Sequence, residues 1–272
     1  MSVTAGPVHH DHAYAHGHHE SVLRGHRWRT AENSAAFLLP HLRPGDRLLD
    51  VGCGPGTITA DLAGRVPGGR VTGLDADPGV VAAARAGSAR ADLGWAVADV
   101  YALPLADGTV DVVYVHQVLH HLTDPVAALR EVRRVTRPGG IVALRETDYG
   151  AKVWYPPEPA LERWREIFRA VAQRQGTDPD AGRAVHAWAR AAGFTDLVTS
   201  SSAWTFHSPE DRAWWGGSWA DRVEHSAYAT NALDAGLTDR AELAAIAVAF
   251  RRWADDPDGR FVVVHGEVLA RR

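Results

Sequence analysis

Two aspartates and three glycines form the pattern in this sequence that best suits ligand chemistry. Asp50 closes a short apolar run and is followed by Gly52, Gly54 and Gly56, and Asp75 closes the next apolar run. Glycines lack side chains, so backbone N–H groups in such a turn can approach a ligand closely. A carboxylate about 20 residues past the turn can accept hydrogen bonds from both hydroxyls of a ribose. The pattern therefore predicts a site for a ligand that contains a nucleoside.

The spacing of the turn separates two classes of nucleotide ligand. A dinucleotide fingerprint has the form G-x-G-x-x-G, but Thr57 occupies its sixth position here and the third glycine comes one residue early, at Gly56. Asp50 before the turn repels a phosphate and attracts a cationic group. The turn thus favours a ligand with a ribose but no pyrophosphate, which leaves a nicotinamide oxidoreductase as the weaker alternative. Asp99, which closes a third apolar run, is placed to accept from an adenine amino group, with the Val100 N–H beside it.

Alternating apolar runs and helical patterns predict an α/β fold that positions these residues. Strands are expected at 47–51, 70–74, 95–98, 112–115 and 141–144, with helices at 57–66, 77–87 and 125–136 between them. A β-α-β unit of this length is parallel and right-handed by default. Near the C-terminus, a helix at 185–192 and extended segments at 194–206 and 261–268 fit two further strands that pair antiparallel.

In order and spacing, these motifs resemble those of the class I S-adenosylmethionine-dependent methyltransferases. The sequence looks most like the small-molecule branch with the ubiquinone-biosynthesis, or methyltransferase type 11, kind of domain. The matching segments are Leu49-Asp50-Val51-Gly52-Cys53-Gly54-Pro55-Gly56, Gly73-Leu74-Asp75, Ala98-Asp99-Val100, Val118-Leu119-His120-His121-Leu122 and Arg137-Pro138-Gly139-Gly140. The resemblance implies a doubly wound, mostly parallel, Rossmann-like sheet of seven strands with an antiparallel last strand. It also implies S-adenosylmethionine as the cofactor.

The resemblance further implies which residues contact that cofactor. Asp50 and the glycine-turn backbone would hold the methionine part, Asp75 the ribose and Asp99 the adenine, and His116 and Gln117 would lie beside the methionine. Cys53 is interpreted as a small residue of the turn. Arg29 either meets a carboxylate or lies exposed on an N-terminal helix over 21–42. The complete expected set is Arg29, Asp50, Gly52, Cys53, Gly54, Gly56, Asp75, Ala76, Asp99, Val100, His116 and Gln117.

Two further residues at strand ends suit proton transfer. A hydroxyl or carbon acid must lose its proton when it is methylated, which calls for a base. His120 follows the fourth strand and Glu146 closes the fifth, so both are expected at the carboxyl edge of the sheet. A carboxylate can orient a histidine ring and stabilise its imidazolium form. We interpret them as a catalytic pair; in the alternative, His120 packs locally and Glu146 pairs with an arginine. His121 is expected to pack beneath the site.

Two inserts interrupt the expected core. The predicted plan is an N-terminal tail and helix (1–42), a cofactor-binding core (43–148), a helical lid (149–184), a core helix and strand (185–207), a second helical insert (208–259) and a terminal strand (260–272). Eight of the ten tryptophans follow Gly150, and aromatic rings can bind a flat apolar acceptor or form a core. The expected acceptor contacts are Tyr149, Trp154, Trp214, Trp215 and Trp219; Trp164, Trp188 and Trp253 are assigned to the core. The second insert can cover the same pocket, pack elsewhere or form a dimer contact.

Composition narrows the range of partners. A formal net charge of −4 gives no general attraction to nucleic acid or anionic membranes. The single cysteine excludes an internal disulfide and fits a reducing cytoplasm. No apolar run reaches the roughly 18 residues of a membrane span. No Cys or spaced carboxylate completes a metal site, so the N-terminal histidines are interpreted as part of a polar tail. These histidines are His9, His10, His12, His16, His18 and His19.

We therefore expect a cytoplasmic enzyme that methylates a hydroxyl or carbon centre of a small hydrophobic acceptor, such as a secondary metabolite. No nucleic-acid partner is expected, and a homodimer is an open alternative. A protein that binds the cofactor for a cyclisation or for regulation is the main alternative function.

Overall fold

The computed structural model of the chain describes residues 28–88, 90 and 92–272. Eight strands form one sheet. Seven of them follow the order β3-β2-β1-β4-β5-β8-β6, and β7 also pairs with β8. The strands are β1 (Arg47–Val51), β2 (Arg70–Asp75), β3 (Leu93–Val97), β4 (Val110–His116), β5 (Thr136–Thr147), β6 (Val153–Tyr155), β7 (Asp196–Phe206) and β8 (Arg260–Arg271). Strands β1 to β5 pair in parallel, and β8 is antiparallel to its three neighbours. The expected α/β class and antiparallel last strand are confirmed, with the short β6 as an addition.

Helices cover both faces of this sheet. They are α1 (Ala31–Ser34), α2 (Thr57–Ala63), α3 (Pro78–Gly87), α4 (Pro125–Val135), α5 (Pro159–Arg174), α6 (Ala181–Ala191), α7 (Pro209–His225), α8 (Ala227–Asp234) and α9 (Arg240–Asp255). Asp77 and Asp124 cap α3 and α4 by accepting from the third backbone N–H of each helix, and a proline follows each cap. These caps explain why the starts of both helices could be predicted within a residue or two.

Successive residues of β1 point into different cores. Leu48 packs with α1 and α2 on one face, whereas Leu49 packs with α4 and α6 on the other. Both side chains are 2% exposed, as expected for a parallel strand covered on both faces.

The described part of the expected helix over 21–42 is not one continuous helix. From residue 28 onward that range contains α1 and a 3-10 turn at Leu39–His41. Thr30 caps α1 through a capping box, and Pro40 in the following segment limits helical continuation. Ala35 and Leu38 are fully buried, while the N-terminal histidine cluster lies outside the described residues.

The two inserts pack together and share one aromatic core. We call α5, α7, α8 and α9 the helical subdomain; its core includes Trp164, Trp219, Tyr228 and Phe250 and extends to Phe261 of β8. The first insert is not purely helical, because it begins with a 3-10 turn (Tyr149–Ala151) and β6. It also ends earlier than expected, since α6 starts at Ala181. Within the ranges that the structure covers, no helix is both long enough and apolar enough to cross a membrane.

Candidate active site

The glycine turn lies at the carboxyl end of β1 and is fixed by close packing. Gly52, Gly54 and Gly56 all have positive φ, at 70°, 53° and 80°. A Cβ on Gly52 would lie 2.3 Å from the Val118 side chain, and one on Gly56 would lie 2.3 Å from the Trp95 ring. Both conformation and space therefore require glycine at these two positions. A side chain at Gly52 or Gly56 would therefore collide with protein atoms.

Two aspartates stand at the ends of β1 and β2 beside this turn. Asp75 accepts hydrogen bonds from the backbone N–H of Gly54 and of Asp77, both at 3.1 Å. Asp50 is 3% exposed and accepts a 2.5 Å hydrogen bond from the Thr59 hydroxyl. Burial, reinforced by the charge of Asp75, raises the pKa of Asp50 to about 7 although the Thr59 hydrogen bond opposes the shift. A buried carboxylate without a cationic partner among the described residues is suited to a ligand that brings a positive charge.

A cavity of about 430 Å³ opens between this edge of the sheet and the helical subdomain. Its size is that of a small-molecule site. The sequence-predicted residues that line it are Arg29, Asp50, Gly52, Cys53, Gly54, Asp75, Ala76, Val100, His116, Gln117, His120, Tyr149, Trp214, Trp215 and Trp219. The second insert thus covers the same pocket as the glycine turn, which selects one of the three placements that the sequence left open.

Four residues of the predicted site do not line the cavity. Gly56 starts α2 and faces Trp95. Asp99 accepts from the Tyr101 N–H at 2.8 Å, while Val100 beside it reaches the wall. Trp154 stacks on Phe261 and is covered by the Arg165 guanidinium, so it belongs to the core of the helical subdomain. The fourth, Glu146, lies directly behind His120.

His120 and Glu146 form a buried pair, as the sequence predicted. The His120 Nδ1 lies 2.7 Å from Glu146 Oε2, and the other carboxylate oxygen accepts from the N–H groups of Val118 and Leu119 at 2.9 and 2.7 Å. Burial, together with the positive charges of Lys152 and Arg29, lowers the pKa of His120 to about 3. The imidazole is therefore neutral at physiological pH. With Nδ1 held by Glu146, Nε2 is the nitrogen left to exchange a proton with a ligand.

A chain of hydrogen bonds holds another part of the cavity wall. Arg29 donates to Gln117 Oε1 at 2.8 Å, and the Gln117 amide nitrogen lies 2.9 Å from His265 Nε2. Arg145 is fully buried and donates to His265 and His116, each at 3.0 Å. Gln117 adopts a positive φ of 54°, a strained conformation for a non-glycine residue. This chain places Arg29 against the cavity instead of on an exposed helix face.

Sequence reasoning missed several residues of the cavity wall. Lys152 and Arg222 are buried cations of the two inserts, and Trp204 and Thr147 come from β7 and the end of β5. His121 also lines the cavity, whereas the sequence placed it beneath the site. One signal was available for Lys152, which is the only lysine in the chain. Among the residues that the structure covers, no group of three or more His, Cys, Asp or Glu side chains is arranged to hold a metal ion.

Comparison with known proteins places this geometry in context. Residues 49–144 match the family model described as a methyltransferase domain. An uncharacterized methyltransferase of Schizosaccharomyces pombe is 34% identical over 270 residues, covering 95% of this chain and 96% of the relative. A probable methyltransferase of Aspergillus luteorubrus is 30% identical over 283 residues, covering 94% of this chain and 96% of the relative.

A solved structure shares the fold. A phosphoethanolamine N-methyltransferase 2 of Haemonchus contortus, in complex with phosphomonomethylethanolamine and S-adenosylhomocysteine, aligns with a TM-score of 0.53 at 16% identity. The alignment covers 85% of this chain and 49% of that protein.

Proposed function

The chain belongs to the class I S-adenosylmethionine-dependent methyltransferases, and we propose that it methylates a hydroxyl or carbon centre of a small, hydrophobic acceptor. Its cofactor is S-adenosylmethionine, which sets aside the dinucleotide alternative. The observation that carries the proposal is that His120, backed by Glu146, lines the same cavity as the glycine turn and the aromatic wall.

The residues around the glycine turn fit the cofactor. Gly52 and Gly54, both with positive φ, present backbone at the cavity, and Asp50 offers a buried carboxylate without a cationic partner in the described structure. We propose that Asp50 and the turn hold the methionine part and that Arg29 meets its carboxylate. Asp75 is proposed to accept the ribose hydroxyls, since its hydrogen bonds to Gly54 and Asp77 fix its carboxylate at the cavity wall. The remaining proposed contacts are Gly52, Cys53, Gly56, Ala76, Asp99, Val100, His116 and Gln117.

When bound, the cofactor supplies a methyl group on a sulfonium, an already activated leaving group. The protein must then align the acceptor, exclude water and remove a proton. We propose that His120 Nε2 takes that proton, while Glu146 fixes the ring and stabilises the imidazolium that results. Glu146 acts through His120 and is a positioning residue, because it does not reach the cavity.

The aromatic wall supports a small, flat acceptor. Tyr149, Trp214, Trp215 and Trp219 line the cavity, and the helical subdomain covers one side of it. A cavity of this size beneath bulky rings suits a small molecule better than a nucleic acid, in keeping with the net charge of −4. A free, buried cysteine supports a reducing, cytoplasmic setting.

Methyl-transfer assays test the proposal directly. The protein is incubated with S-adenosylmethionine labelled in its methyl group and with a panel of phenols, enols, carboxylic acids and amines. We expect label in an oxygen or carbon product, and far less with His120→Gln at unchanged cofactor affinity. Tight cofactor binding without transfer to any acceptor would instead support a cyclisation or regulatory role. Transfer to amines alone would contradict the acceptor class.

A further inference from the structure

Lys152 is a buried lysine in the cavity wall. The residue is 2% exposed, and its Nζ lies 2.9 Å from the centre of the Tyr149 ring. The rings of Trp164 and Trp219 are each 5.6 Å away. Aromatic faces attract a cation, but they do not replace the hydrogen bonds that an ammonium makes in water. This lysine therefore has a costly position unless something else compensates it.

The neighbouring carboxylates are already engaged by other cations. Asp148, in the turn before Lys152, accepts two hydrogen bonds from Arg183 at 2.6 and 2.7 Å. Asp180, just before α6, accepts from Arg169 at 2.5 Å. In the part of the chain that the structure describes, no carboxylate bonds to the Lys152 ammonium.

The other charged or titratable groups that face Lys152 do not offset the burial of its charge. Burial lowers the pKa of Lys152 well below its ordinary range, and the charges of Arg222 of α7 and Arg29 of the N-terminal segment lower it further. His120 and His265 also face it, and burial keeps both of them neutral. Lys152 thus lies near two further cations, and no carboxylate of the described structure bonds to it.

Two more polar atoms of the same cavity wall lack a hydrogen-bond partner among the described residues. The Thr147 hydroxyl and the Trp215 indole N–H are buried and make no hydrogen bond to any described residue. Both residues line the cavity with Lys152. Buried polar groups are almost always paired in a native complex, so these two atoms, in the same cavity wall as the Lys152 ammonium, indicate a polar ligand group there.

Building on the proposed methyltransferase function, we propose that the acceptor is an aromatic acid whose anionic oxygen binds to Lys152, with Thr147 and Trp215 as its other polar contacts. The class includes carboxylates and acidic hydroxyls such as phenols and enols. A carboxylate pairs with the Lys152 ammonium, and any amine that burial leaves uncharged takes one proton from solvent as the pair forms. When a phenol binds to the amine form, its own proton moves to Nζ. The tryptophan rings of the wall would hold the flat body of the acceptor.

Binding of matched probes tests this assignment. The probes are 2-naphthoate, 2-naphthol and the neutral 2-naphthamide, titrated by calorimetry into protein saturated with S-adenosylhomocysteine. Lys152→Met keeps the length and removes the charge, Lys152→Arg keeps the charge, and Arg190→Met changes an exposed cation of α6.

We expect Lys152→Met to weaken naphthoate binding about tenfold or more, because hydrogen bonds to charged groups contribute that much. Naphthamide should change far less, Lys152→Arg should restore part of the naphthoate affinity, and Arg190→Met should have no effect. If Lys152→Met weakens naphthol as it weakens naphthoate, the site also binds acidic hydroxyls. If it weakens naphthoate alone, the site binds only carboxylates.

Because Lys152 is the only lysine, its protonation can be followed directly. Protein labelled with ¹³C at lysine Cε has one lysine side-chain signal, whose titration midpoint should rise when naphthoate binds and stay unchanged with naphthamide. Three results would overturn the proposal: equal binding of naphthoate and naphthamide, binding of neither probe, or a Lys152→Met variant that binds naphthoate as well as the wild type. Cofactor affinity and methyl transfer are measured on the same proteins. Failure of transfer with an intact naphthoate response would reject the proposed function and leave the lysine site standing.

Discussion

At the scale of single residues, Glu146 reaches the cavity only through the ring of His120. Its Oε1 accepts two backbone N–H groups and its Oε2 faces His120 Nδ1, so every oxygen has a fixed partner. Burial raises the pKa of this carboxyl, and the hydrogen bonds work in the opposite direction. The tautomer of His120, and hence the basicity of Nε2, depends on which of the two groups carries the proton between them.

Glu146→Gln tests that dependence without changing the packing. A glutamine can keep its oxygen toward Val118 and Leu119, which turns its NH₂ toward His120 Nδ1. The proton of the ring must then move to Nε2, which can no longer accept one. We expect kcat to fall roughly 100- to 10,000-fold, with cofactor affinity and thermal stability nearly unchanged, as measured by steady-state kinetics and calorimetry. Glu162→Gln on the exposed face of α5 is the control, and wild-type kcat in Glu146→Gln would exclude the pair from proton transfer.

Asp50 should make the free protein sensitive to pH. Its pKa is about 7 when folded against an ordinary value of 3.8, so between these values the folded state holds a proton that the unfolded chain has lost. Rising pH therefore favours the unfolded chain across this window. Relative to Asp50→Asn, the wild type should lose stability from about pH 4 to pH 7 and then level off, by a few kcal/mol at about 1.4 kcal/mol per pKa unit. Urea denaturation across this range measures the difference; Asp258→Asn, at an exposed site, should run parallel to the wild type.

Residues at strand ends could be predicted, and residues of the inserts could not. Asp50, Asp75 and His120 follow apolar runs, and parallel strands bring their carboxyl ends to one edge, so sequence order alone placed them together. Lys152 and Arg222 come from segments whose path depends on how the two inserts pack on each other. No local spacing encodes that packing, which is why these cations of the cavity wall appeared only in the structure.

At the scale of elements, the glycine turn is held between three of them. The N–H groups of Gly52 and Cys53 both donate to the Leu74 carbonyl at the end of β2, at 2.8 and 2.9 Å. The side chain of Val118, just after β4, closes the other side of Gly52. Backbone position in the turn therefore depends on the registers of β1, β2 and β4 together.

Gly52→Ala and Gly45→Ala separate conformation from packing. Both glycines have positive φ, but a Cβ on Gly45 would meet nothing within 4 Å, whereas one on Gly52 would overlap Val118. Gly45→Ala should lose about 1–2 kcal/mol of folding free energy, the cost of left-handed backbone. Gly52→Ala should lose about 1–3 kcal/mol more from overpacking, together with cofactor affinity. Denaturation and cofactor titration measure both quantities, and equal losses in the two variants would show that Val118 yields without cost.

The regular elements were predictable where periodicity and caps agreed. Strand β1 and the helices α3 and α4 follow apolar patterns bounded by turns and capping aspartates. The three-residue β6 had no such signal, because it exists only through pairing with the start of β8. The helical pattern over 21–42 was misleading in its described part, where Ala35 and Leu38 are buried without belonging to one continuous helix.

At the scale of the whole molecule, the carboxyl edge of the sheet and the helical subdomain contribute different residues to the cavity. The sheet supplies the glycine turn, the aspartates and the His120–Glu146 pair, and its cores lie on the two faces of the sheet. The helical subdomain contributes Trp164 and Trp219, which lie near Lys152, and the tryptophans of the aromatic wall. These residues pack in or against a separate aromatic core. The proposed cofactor and acceptor sites thus rest on different cores and should respond separately to core substitutions.

Trp164 is the residue at which this separation can be tested. It is fully buried in the helical subdomain and lies 4.5 Å from Trp219 and 6.1 Å from Tyr149, ring centre to ring centre. Trp164→Ala should cost about 3–5 kcal/mol of folding free energy, because it removes a large side chain and leaves a cavity. Because Trp219 and Tyr149 line the proposed acceptor site, acceptor binding should weaken in this variant. The affinity for S-adenosylhomocysteine should change less than about threefold.

Denaturation and two separate ligand titrations, made well below the melting temperature, provide the measurement. Trp164→Phe should show the same pattern with smaller losses and guards against a variant that fails to fold. Trp188→Ala, on the partly buried side of α6 against the sheet core, is the matched control and should leave the acceptor wall intact. If cofactor and acceptor affinities fall together in Trp164→Ala and Trp164→Phe, the two sites share one cooperative core, and the division between sheet and helical subdomain is wrong.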